Sequence, residues 1–312
     1  MDRVRIRNRA TYFPVALGDI VIAAPIVSRL LLRTTLPGRI LSAAAAGAYL
    51  GSALEDWVSR RHVKRIDFHA AFGAELRGAA PMSAEARARD IGELIERLND
   101  HYRPLRTSRR ALATQVNARL TDYIAGLTGQ RVETSAEVRN FMVVQLVFPF
   151  ALGGCDVLSG DVAIFGDAGL FEPHVLAHEF SHRKGYLKEL DAQALAYFAL
   201  VGSGEGVLVQ SALCERLYRQ MAVVAAGDAE HYHAAVEASG LRAELKAAFR
   251  ARQPTLSAYE RVLGSAMRTV YDVRMRVTGQ TGLSDYDEGF TNFLHATEET
   301  AGAGGRAGGQ PV

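Results

Sequence analysis

The chain has 312 residues, a formal net charge of +2 and 48% hydrophobic residues. This length and apolar content allow one sizeable core together with a membrane or accessory element. The charge is near neutral, and the arginines are dispersed without a basic stripe interleaved with aromatic residues, which argues against a nucleic-acid partner. Only two cysteines are present, so the chain is not a disulfide-rich scaffold.

The N-terminal segment, residues 1–65, combines basic residues with two apolar runs. Four arginines lie in the first ten residues, and the apolar runs cover Tyr12–Leu32 and Ile40–Leu54. Each run is near the lower length limit for crossing a bilayer, and a charge within a span is costly. We predict membrane association, as a hairpin or an interfacial helix pair, with a soluble helical subdomain as the alternative. Basic residues flank both outer ends, so a hairpin in the inner membrane would leave the main domain cytoplasmic; a soluble cytoplasmic protein is the alternative.

Residues 66–299 are predicted to form the main domain, which is α+β and predominantly helical. Ser83–Asn99 and Thr107–Leu127 have the apolar spacing of amphipathic helices. Phe141–Phe148 and Asp161–Phe165 have the composition of β-strands. The domain is therefore expected to combine a helical body with a small sheet.

The segment from Pro173 to His182 contains the motif His-Glu-x-x-His. On a helix, His178 and His182 lie one turn apart on the same face, where two imidazoles can bind one zinc ion. Glu179 lies beside that face and can accept a proton from a zinc-bound water. Pro173 suits a first helical turn, where its missing N–H is not needed. The alternative is a surface helix that holds two histidines by chance.

The residues before the motif predict the order strand, turn, helix. Asp161–Phe165 is followed by a Gly-Asp-Ala-Gly turn and then by the motif, which is the arrangement of zincin peptidases. We therefore predict a zincin-like core, consisting of a small sheet and an active-site helix. An extended peptide can add to a strand edge in such a cleft, so Val162–Gly166 is a candidate substrate edge. An ordinary core strand is the alternative.

A third metal ligand is expected from the acidic residues that follow the motif. Glu189 is favoured because it is followed four positions later by the polar Gln193, a spacing that resembles glutamate-type zincins. Asp191 is the second candidate. His174 is a third, but three histidines stacked along a straight helix span about 12 Å, which is too far for one ion.

The C-terminal half is predicted to be helical. Predicted helices cover Leu190–Val201, Val207–Ala226, Leu256–Val277 and Ser284–His295. The glycine-rich end, residues 300–312, is predicted to be a disordered tail.

Three stretches together resemble a family of bacterial membrane proteins known as domain of unknown function 3810. They are Phe148–Phe150, the run Ala177–Tyr186 with its continuation to Tyr197, and Val270–Tyr286. The resemblance covers roughly residues 141–295 and implies a zincin-like core behind N-terminal membrane segments, but it supplies no reaction. Asp191 stands where the family has Glu, and Gln193 stands where it has Asn, so the third ligand stays open between Glu189 and Asp191.

The leading functional hypothesis is a zinc-dependent metallopeptidase that acts on a peptide or protein substrate. His178, His182 and Glu189 would hold the ion, and Glu179 would act as general base and then as general acid. Tyr286 is the candidate donor to the oxyanion, with a core-packing tyrosine as its alternative. A non-catalytic zinc-binding scaffold or sensor at the membrane is the second hypothesis, and a metal-free helical protein is the third.

Overall fold

The computed structural model describes residues 1–13, 35–139, 152–156, 158–252 and 285–305, together with positions 16, 19, 269 and 273. The described residues are predominantly helical with two small sheets, which confirms the α+β class. The helices are α1 Leu36–Arg60, α2 Phe68–Phe72, α3 Ala84–Asp100, α4 Arg109–Thr128, α5 Glu172–Arg183, α6 Glu189–Val201, α7 Gly206–Val224, α8 Ala229–Ala238, α9 Ala243–Arg252 and α10 Phe290–Gly305. The strands are β1 Asp2–Arg5, β2 Gln130–Glu133, β3 Gly153–Cys155 and β4 Val162–Ile164. Two 3-10 turns cover Arg9–Tyr12 and Gly169–Phe171, and a π turn at Asp285–Gly289 leads into α10.

The two sheets have two strands each. Strand β1 pairs in parallel with β2, and β3 pairs in the antiparallel direction with β4. Arg139 forms a further parallel bridge to Ala163 of β4, so that strand has partners on both sides. All three residues of β4 are buried. This favours the ordinary core strand over the predicted substrate edge Val162–Gly166, because neither side of the ladder is open to a peptide.

Helices α5 and α6 lie at the centre of the described structure, with α4 and α7 packed against both. All twelve residues of α5 are buried, although seven of them are polar or charged. Leu176 and Phe180 of α5 and Leu195 of α6 are fully buried, and each such side chain stabilises the fold by roughly 1.5–3 kcal/mol. The polar residues of α5 are therefore held in an interior that is otherwise apolar.

The predicted helices before the motif are confirmed, and serine caps explain where they begin. Ser83 Oγ accepts a hydrogen bond from Ala86 N at 3.1 Å at the start of α3. Ser108 Oγ accepts one from Ala111 N at 3.5 Å at the start of α4. Such caps satisfy backbone N–H groups that have no partner within the helix.

The C-terminal end differs from the prediction. Helix α10 continues to Gly305, so residues 300–305 are helical and the proposed disordered tail is wrong for them. Thr300 Oγ1 donates to Ala296 O at 2.9 Å and lies 3.3 Å from Gly73 O, which ties this turn to its helix and to the main body. The predicted strand at 141–148 and the predicted helix at 256–277 lie outside the described residues, apart from two isolated positions.

The second apolar run of the N-terminal segment forms part of α1, whereas most of the first run lies outside the described residues. The inner side of α1 is bound to the body: Ser52 Oγ accepts from Ala10 N at 3.0 Å, and Asp56 accepts from the backbone and side chain of Asn8 at 3.0 and 2.9 Å. Its opposite side, here called the outer face, exposes large apolar side chains. They are Leu36, Ile40, Leu50, Leu54, Trp57 and Val58, which are 45–70% exposed. Among the described helices, none combines the length and the apolarity needed to cross a bilayer.

Candidate metal centre

The chain reverses direction between α5 and α6, and this brings the second helix back to the motif. Pro173 lies in the first turn of α5, as its missing N–H predicts. Gly185 follows the end of α5 with φ of 104°, a left-handed conformation that favours glycine. Helix α6 then begins at Glu189, so a carboxylate from its first turn faces the two histidines of α5.

His178, His182 and Glu189 form one compact cluster whose ligand atoms all lie within 4.8 Å of one another. The two histidine Nε2 atoms are 3.1 Å apart, and Glu189 Oε2 lies 3.2 Å from His178 Nε2 and 3.3 Å from His182 Nε2. Zinc with tetrahedral bonds of about 2.05 Å holds neighbouring ligand atoms about 3.3 Å apart. The three atoms therefore already have the separation of three corners of a zinc tetrahedron, and these residues fit the ion.

His182 is oriented by a backbone contact. Its Nδ1 lies 2.9 Å from the carbonyl oxygen of Tyr186, which can only accept a hydrogen bond, so Nδ1 carries the proton. In the neutral ring this leaves Nε2 with a lone pair directed at the cluster. Tyr186 is itself held, because its hydroxyl donates to Lys64 O at 3.1 Å. The turn after α5 thus fixes which nitrogen is available to a metal.

The charges of the cluster are strongly coupled. Burial opposes the charged form of His182, but the Glu189 carboxylate outweighs burial and raises the pKa of His182 to about 9. Burial would raise the pKa of Glu189, but the two histidines hold it well below its usual range. Without a metal, Glu189 and His182 therefore form an ion pair, and a cation that binds here replaces the imidazole proton.

Glu179 lies next to the cluster without belonging to it. It is buried, with 7% of its surface exposed, and burial raises the pKa of its carboxyl group. A raised pKa suits a carboxylate that must take up a proton and later release it. The predicted base is therefore in an environment that matches its predicted role.

The other predicted site residues fall elsewhere. Asp191 forms an ion pair with Arg77 and is not part of the cluster, which favours Glu189 as the third ligand. His174 is buried one turn before His178 and also lies outside the cluster, and burial lowers its pKa to about 3. Tyr286 lies in the π turn Asp285–Gly289, but its side chain is outside the described part of the structure, so its role stays a prediction.

Sequence reasoning missed two buried cations that follow the motif. The Arg183 guanidinium is fully buried and donates to the carbonyls of Gly160, Ser135 and Glu137 at 2.6–2.8 Å. Lys184 donates to Thr121 Oγ1, Val132 O and Thr134 Oγ1 at 2.7–3.0 Å. Together they anchor the end of α5 to β2 and to the chain around residue 135. Their one sequence signal is an Arg-Lys pair at the end of a helix that is buried throughout.

These features define a class: an α+β protein, mostly helical, with a buried cluster of two histidines and a carboxylate that could hold a metal ion. The chain belongs to the family described as protein of unknown function (DUF3810), whose sequence model matches residues 91–294. This match confirms the resemblance and includes α5, α6 and α7. No curated protein and no solved structure matches the chain.

Proposed function

We propose that the protein is a zinc-dependent metallopeptidase. The observation that carries the proposal is the His178–His182–Glu189 cluster, whose atoms have the spacing of zinc ligands. The buried carboxylate of Glu179 directly beside it adds the base that hydrolysis needs. Two imidazoles and one carboxylate leave a fourth position open, as in catalytic zinc sites.

In this proposal, His178, His182 and Glu189 hold the ion. A bound zinc ion would polarise the scissile carbonyl and lower the pKa of a water at its open position. Glu179 takes the proton of the attacking water and gives it to the leaving amine, a role that its raised pKa supports. Tyr286 is kept as the proposed donor to the oxyanion.

The test compares two matched variants of α5. Glu179→Gln should lower cleavage of a broad peptide library by about 10²–10⁴-fold, while the zinc content of the purified protein stays the same. Glu172→Gln makes the same chemical change on the same helix, in a carboxylate that pairs with Arg109 at 2.7 Å instead of facing the cluster. It should leave cleavage nearly unchanged. Retained cleavage in Glu179→Gln would remove this residue from the mechanism.

The burial of the site favours one alternative, a non-catalytic zinc-binding scaffold or sensor. His178, Glu179, His182 and Glu189 are each only 4–7% exposed. Structural zinc sites are closed, whereas catalytic ones keep a position for water or substrate. Stoichiometric zinc without chelator-sensitive cleavage of any peptide in the library would support the scaffold.

We also propose that the outer face of α1 lies on a lipid bilayer. The face extends from Leu36 to Val58, about 33 Å along the helix. No acidic residue occurs between Leu36 and Leu54, and exposed basic residues lie near the two ends of the face, at Arg39 and Arg61. Anionic headgroups complement such basic ends, and a bilayer complements the apolar face.

The position of Trp57 supports a lipid partner. Its ring is 48% exposed at one end of the outer face, and the Arg61 guanidinium lies 3.6 Å from the ring centroid. Tryptophan beside a cation is typical of the membrane–water interface. The inner side of α1 is bound to the protein body, so this proposal concerns a face that rests on lipid and does not require α1 to span the bilayer.

A further inference from the structure

Each helix of the metal centre carries a second buried polar residue one turn away from its ligand. His174 precedes His178 by one turn on α5, and Gln193 follows Glu189 by one turn on α6. Both are only 1% exposed. Buried polar side chains need hydrogen-bond partners. The partners of these two residues therefore belong to the structure that supports the metal centre.

Gln193 contacts the carboxylate of Glu215 on α7. The amide Nε2 of Gln193 donates to Glu215 Oε1 at 3.2 Å. An ionised carboxylate only accepts hydrogen bonds, so the amide nitrogen must face Glu215 and the amide oxygen must lie on the other edge of the group. Glu215 thereby fixes the orientation of a side chain one turn from the metal-ligating Glu189.

The charge of the same carboxylate also acts on His174. Burial lowers the pKa of His174, and the negative charge of Glu215 acts in the opposite direction. His174 Nε2 and Glu215 Oε2 are both buried without a hydrogen-bond partner among the described residues. Two such atoms on neighbouring groups are the usual setting for a buried bridging water. In addition, His174 N donates to Ser211 Oγ at 3.0 Å, which binds α5 directly to α7.

Neighbouring arginines keep the carboxyl group of Glu215 ionised. Arg219 donates to Glu215 Oε1 through Nε at 2.7 Å and Nη2 at 2.5 Å, and Arg252 Nη2 lies 3.7 Å away. Burial would raise the pKa of Glu215, but these guanidinium groups outweigh it and hold the pKa well below its usual range. The third nitrogen of Arg219 donates to Asp287, next to Tyr286 in the π turn.

We propose that Glu215 is a positioning residue of the metal centre, which fixes Gln193 and His174 and thereby the ligand-bearing turns of α6 and α5. This inference rests on the proposed metal binding but not on peptidase activity. Metal affinity typically falls by about 10- to 100-fold when a residue that orients a metal ligand is lost. Glu215 would act one step further from the ion, through one intervening side chain on each helix, so an effect near the lower end of this range is expected.

The test measures zinc affinity of the full chain by competition with a chelator, with the visible spectrum of the cobalt-substituted protein as a second readout. Glu215→Gln and Gln193→Met should each weaken zinc binding by about tenfold or more and change the cobalt spectrum. The double variant should bind zinc no more weakly than the weaker single variant, because both act on one contact. Gln193→Met keeps the ion pair between Glu215 and Arg219, so it decides the question if Glu215→Gln does not fold.

Asp90→Asn is the matched control. Asp90 is another buried carboxylate that pairs with an arginine of α7, Arg216, at 2.6 Å, but it does not contact Gln193. Its zinc affinity should stay within about twofold of the wild type. Wild-type affinity in both Glu215→Gln and Gln193→Met would overturn the inference while leaving the metallopeptidase proposal intact. An equal loss in Asp90→Asn would overturn it as general destabilisation, and a wild-type chain that binds no zinc would overturn both.

Discussion

Helices α5 and α1 distribute their side chains in opposite ways. Helix α5 buries histidines, acids and an arginine, whereas α1 exposes leucines and Trp57. Burial of polar groups is unfavourable unless each has a partner, and in α5 the partners are the cluster, the turn after the helix and the surrounding carbonyls. Exposed apolar groups are tolerated individually, but a continuous face marks a contact with something else. The two helices are therefore the basis of the two proposals, chemistry inside the protein and attachment outside it.

The two helices are also joined end to end. Arg60, in the last turn of α1, donates from Nε to Arg183 O at 3.2 Å. Arg65 Nη1 donates to Gly185 O at 3.0 Å, in the turn that leads to Glu189. The attachment proposed for α1 is therefore bound to the end of the metal helix, which places the candidate centre close to the surface where α1 would rest.

The largest effect is expected from removing the cation that anchors α5. Arg183→Met should lower the free energy of unfolding by about 3–5 kcal/mol, because three buried carbonyls lose their donor. Urea unfolding of the full chain measures this change. Arg110→Met, at an exposed position of α4, should stay within about 0.5 kcal/mol. A cost below about 1 kcal/mol for Arg183→Met would show that the polar interior of α5 is not what stabilises it.

A smaller effect is expected from pH in the metal-free protein. The pKa of His182 is raised to about 9 in the folded chain, so its stabilisation is complete below about pH 6.5 and is lost as pH rises through 9. Compared with His182→Gln, the wild type should therefore lose up to about 3 kcal/mol of unfolding free energy over this range. Denaturant unfolding with a chelator present, at a series of pH values, measures the difference.

The comparison with His182→Gln is needed because Lys184 titrates in the same range with the opposite sign. Burial lowers the pKa of Lys184 to about 7, so its unfavourable contribution shrinks as pH rises towards its unfolded value. Both proteins contain Lys184, so its effect cancels in the difference. A difference that stays constant from pH 6.5 to 9 would contradict the ion pair between His182 and Glu189.

The sequence predicted the parts of the site that are local. His178, Glu179 and His182 share one helix, and their spacing alone places two imidazoles on one face. The choice between Glu189 and Asp191 could not be made in the same way, because both lie in the first turn of α6. It depends on Arg77, which is distant in sequence and pairs with Asp191. Tertiary contacts, not spacing, separate the two acids.

The fold shows the same division. The helices that begin at Ser83 and Ser108 were predicted because their caps and apolar stripes are local signals. Glu215 was missed because Gln193 and Arg252 come from other helices, and within α7 the sequence shows only an acid four residues before Arg219, which is an ordinary ion-pair spacing on a helix. The helical end at 300–305 was missed because the prediction rested on the glycine content of this segment. The contacts that Thr300 makes were not considered in it.

The smallest effect on stability, and the sharpest test of the outer face, is expected from two leucines of α1. Leu50→Asp combined with Leu54→Asp should change the free energy of unfolding by less than about 0.5 kcal/mol per site, because both side chains are more than 60% exposed. Binding to anionic vesicles should fall by at least about tenfold, since each leucine removed from water contributes roughly 1.5–3 kcal/mol. Val224→Asp, at a position of α7 that is 60% exposed, is the matched control and should bind like the wild type.

The same experiment can also measure how deeply the outer face enters the bilayer. Trp57 is the only tryptophan of the chain, so the tryptophan fluorescence comes from this one position. Its fluorescence should shift to the blue when vesicles are added to the wild type and should stay unshifted in the double variant. Lipids brominated at different positions then locate the ring: quenching should be strongest near the headgroups if the outer face rests on the bilayer, and quenching strongest at the midplane would contradict that placement. An unshifted wild-type spectrum, or equal vesicle binding by the double variant, would show that the outer face serves another partner. Because Trp57 lies only a few residues before Arg60 and Arg65, its depth also measures how near the lipid surface the candidate metal centre is held.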